Sequence, residues 1–182
     1  MATREVLSIG HPALREVAQP VPAADVTSAE TQGLIDDLIA TMRHANGAGL
    51  AATQVGEPVR IAVMEVGDNP RYPYKPVIPL TVLINPVVEP LTAETFANYE
   101  GCLSVPGLRG IVERAVEVRV RALDREGVPI DRVVREMTAA TLTLLAVSPT
   151  VAALTGLQDA PLLGRSRWVE LIHPDDRDRF VA

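Results

Sequence analysis

The chain has 182 residues, 47% of them hydrophobic, a formal net charge of −6 and a single cysteine. That length supports one substantial core and that composition excludes a chain disordered throughout. An acidic balance with scattered basic residues excludes a nucleic-acid footprint, which needs a basic face, and one thiol excludes an internal disulfide.

The opening "MATREVLSIGHP" carries Arg4 and Glu5 and lacks the apolar stretch of a signal peptide, so a soluble, cytoplasmic protein is expected. "HPALREVAQPVP" (11–22) reads as one short helical turn followed by an extended segment bounded by prolines. The next stretch predicts an amphipathic helix over 28–45. Ser28 caps it, Leu34, Ile35, Leu38, Ile39 and Met42 share one face, and Gly47 stops it. The runs 59–66 and 81–88 read as strands, with the loop "GDNPRYPYKP" between them.

The clearest alternation follows. Val116, Val118, Val120 and Ala122 point one way, and Glu117, Arg119 and Arg121 the other, which predicts a half-buried strand over 115–123. The turn "DREG" leads into a partner strand over 128–134. One helix followed by several strands is an α+β order rather than alternating βαβ units. From Met137 to Gln158 no residue is charged, a length near that of a membrane span. Five threonines, a serine, a glycine and Pro149 make the run too weakly apolar for that, and it reads as buried helix with no membrane partner.

Two short blocks carry the chemistry. "GAGLAATQ" (47–54) has two glycines that permit close backbone approach to a ligand, and Gln54 offers an amide donor; the plainer reading is a helix end and tight turn. "EGCLSVP" (100–106) sets Cys102 after a flexible glycine, where a lone cysteine is more often a small core residue than a ligand.

Taken together with "VLSIGHPALREVAQPV", "LINP" and "VRVRALDREGVPI", the two blocks resemble the peptide deformylase family, over about residues 4–135. The resemblance implies antiparallel sheets packed around a central helix. It implies hydrolytic removal of the N-formyl group from the initiator methionine of nascent chains, with formyl-methionyl peptides as partners. Cys102 would ligate a divalent metal, iron or zinc. The Gln54 amide and the Leu103 backbone N–H would steady the oxyanion formed when a metal-activated water attacks. Gly47, Gly49, Glu100 and Gly101 would line the substrate side. Gly49 lets the peptide backbone come close, and Glu100 is either a pocket-lining group or a turn residue.

The family's third block, His-Glu-x-x-His on one helix face, falls near 144–148 in this register. Here "LLAVS" stands there, with Leu144 and Ser148 in the histidine positions and Leu145 in the glutamate position. The three histidines of the chain, His11, His44 and His173, do not restore the pattern. Cys102 alone is not a metal site, so stable metal binding is not expected and the chain is expected to be inactive or nearly so. Downstream, "LTG", "LLGRS" and "HPDDR" within 147–182 resemble the start of a PAS domain. A PAS domain needs roughly a hundred residues to close, so 138–182 is expected to be a fragment appended to a 1–137 domain rather than an independent unit. The competing expectations are an active metal-dependent deformylase and a fragment of a PAS-containing signalling protein.

Overall fold

The computed structural model describes residues 2–67 and 77–135. Helix α1 spans Ala29–His44, and the Ser28 hydroxyl accepts from the Thr31 N–H at 3.2 Å, as an N-cap does. Ile35, Leu38, Ile39 and Met42 of the expected apolar face are buried, joined by Thr31 and Thr41, and Leu34 is partly buried. The stop comes one residue earlier than expected: Asn46 takes the left-handed conformation (φ 51°), and the Gly47 N–H returns to the Met42 carbonyl at 2.9 Å. Asparagine tolerates that geometry because its short polar side chain bonds locally.

Among the described residues seven strands follow: β1 (Gly49–Ala51), β2 (Ile61–Val66), β3 (Ile78–Pro90), β4 (Thr95–Cys102), β5 (Val105–Ala115), β6 (Glu117–Leu123) and β7 (Pro129–Arg135). They form a five-stranded sheet of order β1-β2-β3-β6-β7 and a two-stranded ribbon β4-β5, with every strand pair antiparallel. The architecture is α+β, as the order of elements predicted.

The sheet buries apolar groups on both faces. Ile61, Val63, Val82 and Ile84 pack with Ile35, Leu38 and Met42 of α1, while Ala62, Met64 and Leu83 pack with Val118, Val120 and Ala122. Burial on two faces explains why β2 reads as a continuous apolar run and not as an alternation. β6 alternates because its other face meets water. There Arg119 forks onto Asp131 at 2.7 and 2.8 Å, and Arg121 meets Glu89. The β6–β7 pairing across the 124–127 turn gives the expected hairpin, with Gly127 at φ 81°, but the strand starts at Glu117 rather than 115, because Ala115 ends β5 and pairs with Thr95.

β3 runs past both expected ends. It is interrupted near Asn85, which sits at φ 52° and uses its side-chain amide to bond the Val21 N–H and carbonyl, both at 2.8 Å. Three glycines and Pro106 within 95–115 conceal the β4–β5 ribbon, for which no strand is expected from the pattern. The expected loop at 67–76 lies mostly outside the described residues, as do the 144–148 block, the apolar run Met137–Gln158, the PAS-like stretch and the boundary at 137. Among the described residues, no helix is long and apolar enough to cross a membrane.

Candidate functional site

β1 leads directly into a 3-10 turn, Ala52–Val55, closed by Gly56 at φ 86°. A turn this tight swings Gln54 inward, where it is only 6% exposed. Its Oε1 accepts from the Ala51 N–H at 3.0 Å, which fixes the amide's orientation and aims Nε2 at the ribbon.

The ribbon supplies the other wall. Cys102 pairs with Val105, so Leu103 and Ser104 form a two-residue turn, and neither takes a positive φ. Between the pairs Gly101–Arg109 and Cys102–Val105 the register shifts, leaving 106–108 bulged, with Gly107 at φ 79°. A bulge beside a turn bends the strand and re-aims the side chains next to it. Cys102 is consequently directed at the glutamine: Gln54 Nε2 lies 3.5 Å from Cys102 Sγ and 3.1 Å from Ser104 Oγ. The structure thus brings Gln54 and Cys102 side by side.

The N-terminal segment ties the two blocks together. The Leu7 N–H donates to the Gln54 carbonyl at 2.8 Å and the Ile9 N–H to the Ser104 carbonyl at 2.7 Å. Arg4 anchors this segment on Asp37 and Glu57. Burial pushes the Cys102 thiol up from its ordinary value, opposed only in part by the Ser104 N–H, the Ser104 side chain and the Val105 N–H.

The glycines divide. A Cβ on Gly47 would lie 2.7 Å from Leu103 Cδ1, so Gly47 is the seat of the Leu103 side chain. A Cβ on Gly101 would meet Arg109 Cγ at 3.5 Å, an ordinary contact, so nothing described requires a glycine there. Gly49 is buried on β1 opposite Met64. Glu100 is a strand residue of β4 and not a turn residue. It is 5% exposed, and its carboxylate oxygens accept from Arg114 Nε and Nη2 across the ribbon.

Arg114, Leu7 and Ile9 carry no signal of these roles in the sequence. Two of these act through backbone N–H groups, which leave no side-chain signature, and Arg114 reaches Glu100 only because the bulge sets the ribbon's register. Ser104 was visible only as a neighbour of the thiol.

The metal implied by the resemblance is tested by the donor set. Among the described residues no group of three His, Cys, Asp or Glu side chains is placed to hold an ion. Glu100 is engaged by Arg114, and His11 is exposed, its Nδ1 accepting from the Ala13 N–H at 3.2 Å. His44 is exposed at the last residue of α1. His173 lies outside the described residues. A catalytic metal held by about three protein ligands does not fit what the described residues offer.

An antiparallel α+β fold that sets a buried glutamine amide against a hairpin cysteine defines a deformylase-like class of chain. The polypeptide deformylase family model matches residues 3–143, longer at both ends than the resemblance noted above and stopping one residue before Leu144. Peptide deformylase 2 of Pseudomonas putida is 44% identical over 129 residues, 71% of this chain and 72% of that protein. A peptide deformylase of Leptospira biflexa is 39% identical over 143 residues, 78% of this chain and 80% of its own. The Met-Ala-Ser-bound class I type b peptide deformylase from Acinetobacter baumannii superposes with a TM-score of 0.74 at 34% identity, covering 85% of this chain and 94% of that one. The chain belongs to the polypeptide deformylase family.

Proposed function

We propose that this protein keeps the peptide-facing half of a deformylase site and lacks the hydrolytic half. It binds formyl-methionyl N-termini weakly and does not deformylate them at a useful rate. The observation that carries this reading is the contrast between two blocks. "GAGLAATQ" and "EGCLS" meet where Gln54 bonds Cys102 and Ser104, whereas "LLAVS" stands at 144–148 where the family pattern calls for two imidazoles and a carboxylate. On this reading Gln54 Nε2 and the Leu103 N–H are the donors offered to the formyl or peptide oxygen. Gly49 brings the β1 backbone close to the bound chain. Cys102, with no companion ligands among the described residues, acts as a small half-buried thiol wall. Formylated nascent chains are made in the cytoplasm, and we place the protein there. A single free cysteine suits that compartment.

The test is formate release from a formyl-Met-Ala-Ser peptide after incubation with ferrous iron or zinc. The protein is expected to give no more formate than buffer. The Leu144→His, Leu145→Glu, Ser148→His variant is expected to gain activity. Turnover by the unaltered protein that the triple variant does not improve would replace this reading with that of an active enzyme.

A further inference from the structure

We propose that Ser104 is the positioning residue that orients the Gln54 amide beside Cys102. The amide has two hydrogens on Nε2 and one acceptor oxygen. The oxygen is committed to the Ala51 N–H at 3.0 Å, so the nitrogen end must face the β4–β5 turn. There it meets two acceptors of unequal strength. Ser104 Oγ at 3.1 Å is a good one, and Cys102 Sγ at 3.5 Å is a weak one. Gln54 and Ser104 are 6% and 5% exposed, so water cannot easily replace the hydroxyl.

Ser104 is itself held on both sides of its side chain. Its carbonyl accepts from the Ile9 N–H at 2.7 Å, and its own N–H donates to Cys102 Sγ at 3.3 Å. The hydroxyl is therefore presented by a fixed backbone. One amide hydrogen is spent on Ser104, and the other is turned toward the sulfur. A ligand oxygen that reached this amide would compete with the weak sulfur contact for that second hydrogen. Ser104 thus acts through Gln54, and a turn residue whose hydroxyl only completed the hairpin would leave the amide's behaviour unchanged.

The experiment follows the Gln54 side-chain NH2 signals in 15N-labelled full-length protein, assigned by their loss in Gln54→Glu. Removing a net hydrogen bond worth about 1 kcal/mol corresponds to hydrogen exchange faster by roughly fivefold to tenfold. That acceleration is expected in Ser104→Ala, with the Leu7 and Ile9 backbone signals unmoved as the check on the fold, and Ser104→Thr is expected to restore slow exchange. Ser104→Cys keeps the volume but weakens the acceptor, and it decides the matter should the alanine variant not fold. Unchanged Gln54 exchange in whichever of these two variants folds would overturn the proposal.

A second arm rests on the peptide-binding reading above. The affinity for formyl-Met-Ala-Ser, measured by calorimetry, should fall by a similar factor in Ser104→Ala. Accelerated exchange without any peptide binding in the unaltered protein keeps the positioning role and removes the peptide-binding reading.

Discussion

Arg114→Leu is expected to be among the most damaging single changes in the ribbon. The Glu100 side chain is 1% exposed and that of Arg114 is 18% exposed, so the carboxylate depends wholly on its partner whereas the guanidinium retains some access to water. Leaving a buried charge unpaired costs about 3–5 kcal/mol. Glu100→Gln strands a group that still reaches solvent and keeps one hydrogen bond, so its cost is nearer 1–2 kcal/mol. Replacing both partners with leucine removes the charge problem and is expected to cost less than Arg114→Leu alone, because a buried ion pair contributes little over an apolar pair of similar volume. Urea unfolding of the four proteins, read by circular dichroism, gives the ordering. If Arg114→Leu proved no worse than Glu100→Gln, or the double variant the least stable of all, the claim that Glu100 is held as a buried carboxylate would fall.

Leu38→Ala empties a fully buried position between α1 and the sheet and should cost about 2–5 kcal/mol in the same unfolding assay. Gly47→Ala puts a methyl where Leu103 Cδ1 now sits. Because that atom ends a flexible side chain, the expected result is a moved Leu103 methyl signal and a loss of roughly 1 kcal/mol, not unfolding. The carboxyls of Asp37 and Glu65 lie below their ordinary values. For Asp37 the Ala2 N–H comes first and Arg4 second; for Glu65 the cause is the Arg43 fork. Their contribution is thus complete above the unfolded values near pH 4 and is lost as pH falls through the depressed folded ones. Urea midpoints measured downward from pH 6 should fall less steeply for Asp37→Asn, Glu65→Gln than for the parent.

Helix α1 and the β6–β7 hairpin were legible because each keeps one period against one buried face: Ile35, Leu38 and Met42 at helical spacing, Val118, Val120 and Ala122 at every second residue. β2 was legible only as an apolar run, since both its faces are covered. The β4–β5 ribbon was hidden by its own bulge, where Pro106 and Gly107 look like loop and in fact turn Cys102 toward Gln54. The two blocks were recognised as a pair through the family resemblance. What holds them together was not legible, because the Leu7 and Ile9 N–H groups act without side chains. The Glu100–Arg114 pair spans 14 positions whose register only the folded ribbon defines.

The central claim, that a deformylase-family cleft persists here without its metal site, is tested most directly by metal stoichiometry. The purified full chain is loaded anaerobically with ferrous iron or zinc, passed through a desalting column and assayed for metal and protein. Far less than one ion per chain is the predicted result, with Cys102→Ser changing it little. One tightly held ion per chain, lost in Cys102→Ser, would contradict the account.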